Sequence, residues 1–136
     1  MMDTESSRST KPAEVTLTVP AQSRYLSVVR TAAAGLAARL DFTLDDIEDL
    51  RIAVDEACAL LLKQARSDSE VRCEFRVVDS ELGVRASAVC DRPFVPSRDG
   101  FSWTVLSALT SSVDINVHHQ ELVIDLTRTR GGVEQG

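Results

Sequence analysis

The stretch LDDIEDLRIAVDEACALLLKQA, residues 44–65, is the most periodic segment of the chain. Apolar residues recur at Ile47, Leu50, Val54, Cys58 (or Ala57), Leu61 and Ala65. Steps of three and four place them on one stripe of an α-helix. Thr43 or Asp41 can cap its start, and Asp45 and Asp46 fall in the first turn, where the helix dipole favours negative charge. The other side carries Asp45, Asp46, Glu48, Asp49, Asp55 and Glu56, an acidic face that is at least in part solvated.

Upstream, Ser23 to Leu40 repeats the helical spacing through Leu26, Val29, Ala33, Leu36 and Leu40. Its alanine run, Ala32 to Ala34, favours a helix and leaves a smooth face that another helix or subunit can approach. Before it, Glu14 to Val19 alternates apolar and polar residues and is β-branched, which predicts a strand closed by Pro20. Downstream, Val71–Val78 and Leu82–Val89 alternate with period two, and the short link Asp79-Ser80-Glu81 pairs them as a hairpin. Cys90 to Gly100 holds Pro93, Pro96 and Gly100 and reads as a loop. Phe101 to Leu109 is a short helix with Phe101, Val105, Leu106 and Leu109 on one side. Val113–Val117 and Glu121–Leu126 form a last hairpin around His118-His119-Gln120.

Strands and helices do not alternate regularly, so a doubly wound fold is excluded. Hairpins with three helices imply an α+β fold: a two-layer sandwich of a mostly antiparallel five-stranded sheet with the helices on one face. The expected organisation is a polar tail over 1–13, one domain over 14–127 and a second tail over 128–136.

The chain has 136 residues, 43% hydrophobic, 26% charged and only 4% aromatic, with a formal net charge of −6. This length suits one domain with an aliphatic core. The acidic balance argues against direct nucleic-acid binding, which needs clustered Lys and Arg, and favours a partner with a basic face. Cys58, Cys73 and Cys90 are odd in number and far apart, so neither a zinc site nor a disulfide framework is indicated; they read as buried free thiols. No segment is long enough to span a bilayer and the N-terminus has no apolar signal core, so the expected location is the cytoplasm.

The order of elements, the helix string Asp49 to Cys58, the string Gly100 to Leu109 and the first helix from Tyr25 to Leu40 resemble the RsbW-like anti-sigma serine kinases of the GHKL ATPase superfamily. The Phe101-Ser102-Trp103 start of the last helix is most similar to the actinobacterial branch. The resemblance covers roughly Glu14 to Thr127.

In that family a Glu-x-x-x-Asn motif lies on the second helix, its two residues one turn apart and facing one cleft. The Asn holds Mg²⁺ and the Glu orients or deprotonates the attacking hydroxyl. Glu56 matches the Glu, but Leu60 stands where the Asn belongs. The family's adenine-reading Asp precedes two glycines. Asp91 is the match, followed by Arg92-Pro93-Phe94-Val95 with no glycine. A second glycine box wraps the phosphates at the start of the last helix. Gly100 remains there, followed by Ser102 and Trp103. The resemblance implies ATP and Mg²⁺ as cofactors, and these departures point to a site where both are weakly held or lost. Glu56 has two readings, a solvated carboxylate or a retained cleft residue. Asp91 is a loop acid or an adenine reader, and Trp103 a core residue or a partner anchor. His118 and His119 read as a solvated turn, with no third metal ligand near.

The resemblance also implies partners. Family members dimerise through the first helix and first strand, grip a sigma factor, and release it to a STAS-domain anti-anti-sigma protein. Counting back from Leu40-Asp41, Arg30 matches the family's exposed partner-binding Arg; its alternative is an ordinary surface Arg. The function expected is an anti-sigma factor of the stress or developmental type working by partner switching, with neither membrane nor nucleic acid as a partner. The rival readings are an active serine kinase acting on the anti-anti-sigma protein, a non-catalytic signalling adaptor on the same fold, and a small-molecule sensor that re-uses the cleft.

Overall fold

The computed structural model describes residues 13–131. Strand β1 (Val15–Pro20) leads through a 3-10 turn at Ser23–Tyr25 into α1 (Leu26–Arg39). Then come α2 (Leu44–Gln64), β2 (Glu70–Val78), β3 (Glu81–Val89), α3 (Phe101–Leu109), β4 (Ser112–His118) and β5 (Glu121–Thr129). The five strands make one sheet in the order β1-β2-β3-β5-β4, and every neighbouring pair is antiparallel. The expected α+β architecture, with its five strands and three helices, is the one found.

The alternation seen in the strands sorts the two faces of the sheet. Val71, Cys73 and Phe75 on β2, Val84 and Ala86 on β3, and Leu122, Ile124 and Leu126 on β5 are all buried. They form one core with Val29, Ala33 and Ala37 of α1, with Leu50, Val54 and Leu61 of α2, and with Leu106 of α3. The opposite face is polar. There Glu74 receives both Arg72 and Arg76, and Arg85 pairs with Asp125 at 2.8 Å across β3 and β5. Burial opposes the charge on Glu74, yet the two arginines outweigh it and hold its pKa below the usual carboxylate value.

Helix α2 begins at a complete capping box. Thr43 Oγ accepts from Asp46 N, and the Asp46 carboxylate accepts from Thr43 N. The turn before it is made by Asp41 in the left-handed region (φ 64°), as are the hairpin turns at Asp79 (φ 55°) and His119 (φ 59°). Asp and His tolerate that region better than most side chains.

Four details differ from the sequence reading. Residues 23–25 form a 3-10 turn rather than the first turn of α1. Ala65 leaves α2 and bridges to Cys90. The buried stripe of α2 is wider than predicted, adding Asp46, Ala53 and Leu60 and taking in both Ala57 and Cys58, while Ile47 is only half-buried. On α3 the inward residues are Trp103 and Leu106, and Phe101 is 75% exposed. The inward face of α3 therefore runs through Trp103, Leu106 and Leu109, shared with the expected face at Leu106 and Leu109 and rotated from it at the first turn.

The C-terminal boundary also moves. β5 runs to Thr129, so Arg128, expected in a tail, is 2% exposed and ordered. Its guanidinium bonds Asp46 Oδ1 at 2.9 Å, Asp49 Oδ2 at 3.2 Å and Leu109 O at 2.6 Å. Gly131 N adds a bond to Asp46 Oδ2. Two carboxylates and one backbone carbonyl thus compensate a buried guanidinium and tie the end of β5 to α2 and α3. The tail expectations for 1–12 and 132–136 lie outside the described residues.

Candidate functional site: a cleft between the second and third helices

The residues singled out on α2 and α3 meet at one cleft of about 370 Å³, walled by α2, the 91–100 loop and the start of α3. Along α2, Glu56, Leu60, Lys63 and Gln64 face it, at spacings of four, three and one that keep them on one side. Gly100, Phe101 and Ser102 form the opposite wall, and Phe94, Pro96 and Ser97 close the end.

Three contacts fix these walls. Ser102 Oγ donates to Glu56 Oε2 at 2.6 Å, joining α3 to α2. Gln64 accepts from Phe94 N and donates to Phe94 O, both at 3.0 Å, so one amide clasps the loop backbone as a neighbouring strand would. The Trp103 indole N–H donates to Pro96 O at 2.7 Å, and Arg98 lies 4.1 Å over the ring.

Glu56 and Gly100 therefore share the cleft. Leu60 lines it too, 6% exposed, and its aliphatic side chain has no lone pair to offer a metal. Gly100 caps α3, and a Cβ there would lie 3.1 Å from Ser97 O, so the tight turn alone accounts for a glycine. Asp91 does not line the cleft. Its carboxylate is 84% exposed, 3.8 Å from Arg66, and its main-chain oxygen accepts from Gln120. Trp103 lies behind the wall, 3% exposed, where it packs and holds the loop. Arg30 stands apart from the cleft on α1, its Nε 2.9 Å from Asp55 Oδ1 on α2.

The sequence reading missed Lys63, Gln64, Phe94 and Ser102. The signal for the first two was present, since residues seven and eight after Glu56 return to its face of the helix. Ser102 was seen only as a lost glycine. Its pairing with Glu56 spans 46 positions, and nothing local announces it.

The three cysteines are free and buried. A hydrogen bond with Cys73, together with burial, pushes the Cys58 thiol up, and burial does the same for Cys90. Both shifts favour the protonated thiol at Cys58 and Cys90. Among the described residues no group of three His, Cys, Asp or Glu could hold a metal, and no helix is long and apolar enough to cross a membrane.

An open antiparallel five-stranded sheet under three helices, with a cleft between the second and third, is a GHKL-type fold. Comparison with known proteins narrows the class. The chain is 37% identical over 99 residues to the anti-sigma-F factor RsbW of Mycobacterium tuberculosis, covering 73% of this chain and 59% of that protein. It is 40% identical over 73 residues to the serine-protein kinase RsbW of Bacillus velezensis, covering 52% and 46%, and 38% identical over 73 residues to the enzyme of that name from Bacillus subtilis. No family model matches the chain. The chain belongs to the RsbW-like family, and it spans less than two thirds of the length of these relatives.

Proposed function

We propose that this chain is a cytoplasmic anti-sigma factor that sequesters an alternative sigma factor without strong ATP binding. The observation that carries the reading is Leu60. Glu56 and Leu60 lie one turn apart on one wall of the cleft, which supports matching them to the family's Glu-x-x-x-Asn pair with a buried aliphatic side chain in place of the Asn. Mg²⁺ requires hard oxygen ligands, and the carboxylate beside it is already bonded to Ser102. A general base without a metal-held triphosphate has nothing to activate. Pro93 and Phe94 stand where glycines would let a base approach, and Gln64 holds that loop in place.

The name of the Mycobacterium relative supports the sigma-factor reading. In this proposal the partner's basic face meets the acidic chain. Arg30 offers a planar fork to a carboxylate of the sigma factor and, in competition, of a STAS-domain anti-anti-sigma protein. A homodimer through α1 and β1 grips the sigma factor. The names of the Bacillus relatives favour a second reading, an active serine kinase acting on the anti-anti-sigma protein.

Two measurements test the proposal. The tagged chain, recovered from its native cytosol, should bring down a stress- or developmental-type sigma factor near one-to-one or two-to-one, identified by mass spectrometry. Calorimetry should show no saturable Mg²⁺-dependent ATP binding at micromolar concentration. Recovery of neither a sigma factor nor a STAS protein sinks the anti-sigma reading. Micromolar Mg²⁺–ATP binding with phosphate transfer to a STAS protein decides for the kinase.

A further inference from the structure

The cleft has a second property that loss of a nucleotide site does not explain: it stays open. A vacated site that served nothing could fill by collapse of the loop onto Leu60. Here the loop is pinned at two points, to α2 by the two Gln64 bonds to Phe94 and to α3 by the Trp103 bond to Pro96, while Ser102 ties the start of α3 to Glu56. About 370 Å³ remains between these walls, within the ~300–1,000 Å³ typical of small-ligand sites.

The chemistry of the lining is specific. Leu60, Phe94, Pro96 and Phe101 make it apolar, and the rings of Phe94 and Phe101 stand 61% and 75% exposed at its edge. Two charged residues line it. Glu56 is engaged by the Ser102 hydroxyl, whereas Lys63, on the last turn of α2, forms no ion pair among the described residues. Glu56 keeps its negative charge under the Ser102 hydroxyl, but it lies seven residues, about 10 Å along the helix, from Lys63, so the Lys63 end of the cleft is the cationic one. An apolar floor with one free ammonium at the rim suits a ligand with an apolar body and one anionic end.

We propose that this cleft binds a small amphiphilic anion, an aromatic or branched-alkyl body bearing one carboxylate or sulfonate, with the body against Leu60 and Phe101 and the anion at Lys63. The inference rests on the reading that nucleotide no longer fills the cleft. Burial of the exposed Phe94 and Phe101 rings supplies most of the affinity, and Lys63 sets the preference for an anion.

The probe is anilinonaphthalene sulfonate, compared with uncharged phenylnaphthylamine, titrated into the full chain. The chain's single Trp, Trp103, is bonded into the loop wall, so energy transfer from it reports binding at this place. Saturable binding of one sulfonate per chain is expected, tighter than that of the uncharged compound. Lys63→Met should weaken the sulfonate roughly two- to fivefold, as for a solvent-exposed charge pair, and leave the uncharged compound unchanged. Phe101→Ala, at an exposed ring that is not needed for folding, should weaken both. Unchanged melting temperatures confirm that the variants fold. No saturable binding, or binding indifferent to both substitutions, overturns the proposal. Displacement of the probe by micromolar Mg²⁺–ATP instead overturns the loss of nucleotide binding on which it rests.

Discussion

Arg30 and Asp55 tie α1 to α2 through a single geometry: Nε of the guanidinium bonds Oδ1 of the carboxylate at 2.9 Å, with both side chains part-exposed. The Arg30 side chain has no other hydrogen bond or ion pair among the described residues. The Nε edge of the fork is used inside the chain, and the two terminal amino groups have no hydrogen-bond partner among the described residues. Asp55 thus restricts a long side chain that would otherwise lose rotamer freedom on docking.

If Arg30 is the partner contact, Arg30→Glu should weaken both the sigma and the STAS complexes by at least about tenfold, the loss of ~1.4 kcal/mol or more that a central interface Arg gives. Asp55→Asn should weaken them less, through lost orientation. Neither should shift the melting temperature much, because an exposed pair contributes only ~0–1 kcal/mol to stability. Calorimetric titration of the purified partners checks this. Unchanged affinity in Arg30→Glu removes Arg30 from the interface.

The buried set around Arg128 makes the opposite prediction. Asp46 and Arg128 are 4% and 2% exposed and join the start of α2 to the end of β5. Arg128→Ala should leave the Asp46 charge without its main partner and cost ~3–5 kcal/mol in urea unfolding. Asp46→Ala should cost a similar amount. The double variant should cost less than the sum, since removing both ends leaves no uncompensated charge. Additive losses would mean that the two act separately.

The pair at Arg128 also marks where sequence reading stops. Periodicity exposed every strand, both long helices and the face of α2, because burial on one side is a local and repeating demand on a segment. Glu56 and Gly100 were found through family spacing on single helices. What was not legible depends on meetings between distant segments. Arg128 looked like tail because a lone Arg near a terminus is ordinarily solvated, and its partner lies 82 positions away. Trp103 could be weighed but not placed, since its orientation is set by a bond to the preceding loop. Phe101 was assigned inward on spacing alone, and in a helix of nine residues a rotation of one position exchanges a buried ring for an exposed one.

Acid should unfold the protein in part through two carboxylates. Burial disfavours the Asp46 anion, but Arg128, Gly131 N and Thr43 outweigh it, and its pKa lies below the ordinary value; Glu74, under Arg72 and Arg76, shifts the same way. For a depressed pKa the folded state binds fewer protons, so the stabilisation is complete above the unfolded-state values of ~4 and is lost as pH falls through the folded ones. Urea midpoints should therefore decline below about pH 4, and Asp46→Asn should flatten that decline while lowering stability at neutral pH. An unchanged slope in Asp46→Asn would assign the acid sensitivity elsewhere.

Leu60→Asn supplies the side chain that the family places one turn after the Glu, and it separates the metal defect from the rest of the cleft. The substitution removes a buried apolar group and inserts an amide beside Phe94 and Phe101, so a loss of ~2–4 kcal/mol in stability is expected. It should not restore Mg²⁺–ATP binding. Glu56 would still be bonded to Ser102, and Pro93 and Phe94 would still stand in the loop that Gln64 clasps. Calorimetry of Leu60→Asn with Mg²⁺–ATP should remain silent at micromolar concentration. A recovered signal would show that one aliphatic residue, rather than the loop and the Ser102 contact together, had closed the site.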